Sequence, residues 1–90
     1  MLNSLIDIGD KNFIFKEDII AVLDWEALNS SKIGRDFLKE NKDKLSYRTD
    51  KKAKAYVLTY SGNFKIYEST ISSSSIRSKF KTKGMKESDE

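Results

Sequence analysis

Asp18-Ile19-Ile20-Ala21-Val22-Leu23-Asp24-Trp25 contains the longest unbroken apolar run in this 90-residue chain, five side chains from Ile19 to Leu23. A strand places alternate side chains on opposite faces, so an uninterrupted run implies apolar neighbours on both faces. Periodicity alone does not separate a buried strand from a buried helical turn. The run is short, β-branched and bounded by Asp18 and Asp24, which favours a strand. The reading is a central strand with the rest of the chain packed around it.

Working outward, Ser4 to Gly9 alternates, with Ile6 and Ile8 on one face. Gly9-Asp10-Lys11-Asn12 is turn chemistry, because Gly, Asp and Asn tolerate positive φ. Asn12 to Lys16 alternates again with Phe13 and Phe15 on one side, so the two runs read as a hairpin. Downstream, Asn29-Ser30-Ser31 supplies N-cap residues for a helix running to about Lys42. Its apolar stripe is Ile33, Phe37 and Leu38. Gly34 weakens such a helix by about 1 kcal/mol relative to Ala, unless it permits the close approach of a neighbouring element.

Leu45 and Tyr47 alternate with polar residues in Lys44 to Asp50, as in a short edge strand. Ala55 to Tyr60 and Phe64 to Tyr67 are two strands joined by Ser61-Gly62-Asn63, a hairpin loop with Gly available for positive φ. Ser69 to Ser75 is a hydroxyl-rich loop with several caps, and Ile76 and Phe80, four apart, mark a short C-terminal helix. The expected fold is α+β: a small, mostly antiparallel sheet with one central helix and a short C-terminal helix. Residues 1–81 form one domain. Residues 82–90 lack apolar periodicity and read as a disordered charged tail.

Composition narrows the chemistry. With no Cys and no His, disulfides, thiol catalysis, most zinc sites and histidine base catalysis fall away. The serines at 72–75 have no histidine to activate them and read as caps. Asp7, Asp10, Glu17, Asp18 and Asp24 are acids at turns and strand ends, where carboxylates are mostly solvated. Gly9-Asp10-Lys11 lacks the spacing of a phosphate loop. The expectation is therefore no enzyme, no cofactor, no metal and no small-molecule substrate. The N-terminus has no signal-like segment and no run reaches membrane-spanning length, so the protein reads as cytoplasmic, with no membrane partner.

Charge is unevenly spread. Residues 1–29 carry two lysines against six acids, residues 30–54 nine Lys or Arg against four acids, and residues 77–86 five cations and no acid. A basic remainder behind an acidic first third suits an anionic partner, nucleic acid first, or is simply a solvated lysine-rich surface. The segment Arg48, Lys51, Lys52, Lys54 is the best candidate for nucleic-acid binding, with Tyr47 and Tyr56 nearby. Lys51 and Lys52 lie ahead of a strand in a polar segment, so their side chains are expected to be free of packing duties.

The order of segments carries a family resemblance. Ile6-Asp7-Ile8-Gly9, then Asp18-Ile19-Ile20-Ala21-Val22, then Lys51-Lys52-Ala53-Lys54-Ala55-Tyr56-Val57-Leu58-Thr59 and Ile66-Tyr67-Glu68-Ser69-Thr70-Ile71-Ser72-Ser73-Ser74-Ser75-Ile76-Arg77 together resemble the bacterial extracellular matrix regulatory proteins, the RemA/RemB family. The match spans about residues 4–80, and the serine-rich ending is closer to the RemB-like arm. The resemblance implies a ring-like homo-oligomer. For RemA-like members it also implies binding of double-stranded DNA and transcriptional control of biofilm-matrix genes through arginines on the ring. Two of those arginines correspond to Lys51 and Lys52, which keep the charge but lack the planar fork that grips phosphate twice. The third corresponds to Asp18, where the charge is reversed. Two functions stand at this point: an oligomeric DNA-binding regulator, or an oligomeric scaffold or protein-interaction module that does not bind DNA.

Overall fold

A computed structural model describes the backbone of residues 4–88 and the side chains of residues 4–80. The fold is α+β. A hairpin of β1 (Leu5–Asp7) and β2 (Phe13–Phe15) stands apart from a four-stranded sheet. That sheet comprises β3 (Ile19–Asp24), β4 (Leu45–Tyr47), β5 (Ala55–Tyr60) and β6 (Phe64–Ser69) in the order β3-β5-β6-β4. All its pairings are antiparallel except β4 with β6, which is parallel. The helices are α1 (Trp25–Ser30), α2 (Lys32–Glu40) and α3 (Ser73–Ser88).

The sheet is covered on both faces, and β5 shows why. Its Ala55 and Val57 join Ile6, Ile8 and Ile76 in one apolar cluster, formed with the hairpin and α3. Its Tyr56 and Leu58 join Ile66 in a second cluster, against which Trp25, Leu28, Phe37 and Leu38 of the α1–α2 side pack. Strand alternation thus feeds two cores from one strand.

The central position of residues 19–24 is not observed. The most apolar run in the chain is an outer strand, and β5 with β6 occupies the middle. The inference of apolar contacts on both faces does hold: Ile19 and Val22 pack on the first cluster, Ala21 and Leu23 on the second. Between Ile19 and Ala21 the register shifts, leaving Ile20 without a partner on β5 and 58% exposed. A bulge of this kind places two residues opposite one and re-aims the strand.

The helical region also starts earlier than expected. The carboxylate of Asp24 accepts a hydrogen bond from the Ala27 N–H and so caps α1, and Trp25 opens a helix rather than ending a strand. Ser31 caps α2 in the same way through the Gly34 N–H. A Cβ on Gly34 would run into the backbone of Leu28, so this glycine lets α1 and α2 meet closely. Ile33, placed by sequence on the apolar stripe, is 82% exposed; Phe37 and Leu38 alone make that contact.

The turn has positive φ at residues 9–11; Gly9 and Asp10 match the expectation, whereas the third such residue is Lys11 and not Asn12. Helix α3 continues to Ser88, past the residue at which order was expected to end; the side chains from 81 onward, and all of residues 89 and 90, lie outside the described residues. Among the described residues no helix is long and apolar enough to cross a membrane.

Candidate nucleic-acid interface

The basic segment is the connection from β4 to β5, and its backbone is fastened at both ends. At the entrance, the Thr49 N–H donates to Oε1 of the buried Glu68 at 3.0 Å. At the exit, the Lys54 N–H donates to the Ser69 carbonyl at 2.7 Å and the Lys54 carbonyl accepts from the Trp25 N–H at 3.1 Å. A segment anchored in this way presents its side chains from a fixed base, which lowers the ordering cost of a contact.

Arg48, Lys51, Lys52 and Lys54 are all exposed. The structure divides them. Lys52 and Lys54 line one cleft of about 280 Å³ together with Asp24, Trp25, Glu26 and Ser72. Trp25 stacks on Tyr56 with ring centroids 6.5 Å apart, and its buried Nε1–H has no hydrogen-bond partner among the described residues. Asp24 is engaged in capping α1, and Ser72 opens α3 by accepting from the Ser75 N–H. Arg48 is at the entrance of the segment and does not line this cleft. Among the described residues none of Arg48, Lys52 and Lys54 is in an ion pair.

Lys51 is different, and here the expectation of a side chain free of other duties is corrected. Its Nζ lies 2.9 Å from Oδ1 of Asp10 in the hairpin turn. The same carboxylate accepts from the Tyr47 hydroxyl at 2.6 Å and from the Thr49 hydroxyl at 2.7 Å. Thr49 Oγ1 in turn accepts from the Lys51 N–H at 3.1 Å. The Tyr47 hydroxyl, then Lys51 and Thr49, hold the Asp10 carboxyl far below the ordinary carboxylate range. The hydrogen bond to Asp10 raises both the Tyr47 phenol and the Lys51 ammonium above their usual values. Asp10, read from sequence as a solvated turn acid, is 9% exposed in its side chain.

No local pattern signalled this arrangement. Asp10 lies 37 residues from Tyr47 and 41 from Lys51. The one hint was a turn rich in residues that accept positive φ. Asp18, the position of charge reversal, is remote from this segment within one subunit. It precedes Ile19, which pairs with Thr59 at the far end of β5, whereas Lys54 adjoins the near end. Five residue steps along the strand separate the two ends by about 17 Å.

No curated protein matches the chain. A family model does, over residues 5–80, and its description is extracellular matrix regulatory protein A-like. That span holds both strands of the hairpin, the whole sheet, the basic segment and the start of α3. The chain therefore belongs to the RemA-like family of extracellular matrix regulatory proteins.

Proposed function

We propose that this protein is an oligomeric DNA-binding transcriptional regulator of the bacterial biofilm and extracellular matrix type, on the RemB-like arm. It acts in the cytoplasm as a ring-like homo-oligomer, and it is neither an enzyme nor cofactor-dependent. The observation that carries this reading is the pair Lys52 and Lys54 on one cleft, from a segment whose backbone is tied to Glu68, Ser69 and Trp25. Ammonium groups on a fixed base meet phosphate as point charges and release its counterions. One subunit offers few such charges, and repetition around an assembly multiplies them.

Exposed apolar side chains support self-association. Leu5, Phe13, Phe15 and Ile20 are all largely open to solvent in one subunit. Leu5 and Phe15 are cross-strand partners on the outer face of the hairpin. Such patches mark contact surfaces more often than bare ones. They equally favour the second reading, a scaffold that binds protein and not DNA.

Fluorescence anisotropy of a labelled duplex over a salt series separates the two. On the regulator reading, binding weakens steeply with salt, and Lys52→Glu with Lys54→Glu abolishes it while the circular dichroism spectrum stays the same. The scaffold reading has no binding at any salt concentration for either protein.

A further inference from the structure

We propose that Asp10 is a built-in counter-ion of the basic segment. It occupies Lys51, so that Lys52 and Lys54, with Arg48, receive phosphate and Lys51 does not. This rests on the nucleic-acid reading and names which of its cations act. Three donors converge on one nearly covered carboxylate, from Tyr47, Thr49 and Lys51. The turn that holds Asp10 is specialised, with Gly9, Asp10 and Lys11 all at positive φ, a conformation uncommon for Lys. It is closed by backbone hydrogen bonds between Ile8 and Asn12 and between Asn12 and Gly9. The carboxylate is thus fixed from the hairpin side, and the segment is drawn to it.

The consequence is electrostatic. A phosphate oxygen in contact with the Lys51 ammonium would lie within about 6 Å of the Asp10 carboxylate, and their repulsion lowers occupancy there by roughly 3- to 10-fold. Lys52 and Lys54 have no such partner among the described residues. Lys51 keeps its exposed surface, with a side chain 66% open, yet its charge is already matched.

The test has one arm without nucleic acid and one with it. In limited acetylation of the native full chain with acetic anhydride, read by mass spectrometry, Lys51 reacts more slowly than Lys52 and Lys54. In Asp10→Asn, which keeps an oxygen for the hydroxyl donors, that difference disappears. Equal rates for the three lysines in the wild type would overturn the pairing.

In anisotropy on a labelled duplex, Lys51→Gln changes affinity by less than about 2-fold, whereas Lys52→Gln weakens it clearly. Asp10→Asn tightens binding by about 3- to 10-fold and steepens the salt slope by about 0.9 for one added phosphate contact per site. The gain is smaller when Asp10→Asn is made in a Lys51→Gln background, the coupling a double-mutant cycle isolates. A loss of affinity in Lys51→Gln equal to that in Lys52→Gln would overturn the proposal even if Asp10→Asn failed to fold. Absence of binding by wild type and variants alike would overturn the nucleic-acid reading instead, and slow acetylation of Lys51 would still support the counter-ion.

Discussion

The sheet has two outer strands, and they are held by different physics. Strand β3 is six residues long and packs half-buried side chains on both faces, Val22 against the cluster of Ile8, Val57 and Ile76, Leu23 against that of Tyr56 and Leu58. Strand β4 is three residues long and joins the sheet by parallel pairing with β6. It is helped by a hydrogen bond from Tyr47 to the carboxylate of a remote turn. The apolar edge depends on packing, which is insensitive to pH. The polar edge depends on an ionised group, and it leads straight into the basic segment. At the β4 edge an ionised cluster joins structure to the candidate site, whereas β3 meets that site only at its last residue, Asp24, which lines the Lys52–Lys54 cleft.

The largest expected effect strikes the apolar edge. Val22→Asp puts a carboxylate against the first cluster, whose buried members are all apolar. We expect a loss of about 3 kcal/mol or more, a large share of a small domain's stability. Val22→Ala, which removes packing without adding charge, should cost roughly 1–3 kcal/mol. Both are read by urea denaturation followed by circular dichroism. A Val22→Asp protein with unchanged stability would mean that β3 is not held by its side chains.

The polar edge should respond to pH where the apolar edge does not. The folded Asp10 carboxyl titrates below its unfolded value, so its contribution is whole above the unfolded pKa of about 3.9 and fades as pH falls below it. Tyr47 and Lys51 are raised, so their contribution is whole below their unfolded values near 10 and fades as pH rises through the folded ones. Tyr47→Phe removes the first of the three donors on Asp10. It should lower the melting temperature at neutral pH by less than Val22→Asp does, and reduce the further drop on acidification. Parallel acid limbs for wild type, Tyr47→Phe and Asp10→Asn would show that the cluster contributes nothing to holding β4.

Much of this was legible in the chain itself. The alternation of Ala55 to Tyr60 is a local property, and it mapped directly onto two faces of a strand. Gly34 was readable as a close approach because a glycine in a helix needs a reason. The rank of β3 in the sheet was not readable, since hydropathy reports what touches the faces of a strand and not what pairs with its edges. Helix α1 was hidden because Asp24 ends the apolar run and caps the helix at once. The four cations of the basic segment were found from charge and position. Their division into an occupied Lys51 and a Lys52 and Lys54 without an ion pair among the described residues comes from Asp10, a contact no sequence period encodes.

The smallest effect on stability should come from the residue that looks most apolar in context. Ile20 is the unpaired residue of the β3 bulge and is open to solvent, so Ile20→Lys should change stability by no more than about 0.5 kcal/mol at low protein concentration. Its effect on assembly should be the reverse. With Ile19, Ala21, Val22, Arg77 and Phe80, Ile20 lines an apolar groove of about 320 Å³ beside the outer edge of β3. A lysine on an outer strand is a common device against edge contacts between copies. If β3 forms the proposed contact between subunits, sedimentation should give a smaller mass for Ile20→Lys than for wild type, with the circular dichroism spectrum intact. A mass equal to wild type would move the contact to the hairpin face of Leu5, Phe13 and Phe15, where Phe13→Lys is the next variant to weigh. Either outcome leaves the β4 edge untouched, because the Asp10 cluster shares no residue with the groove.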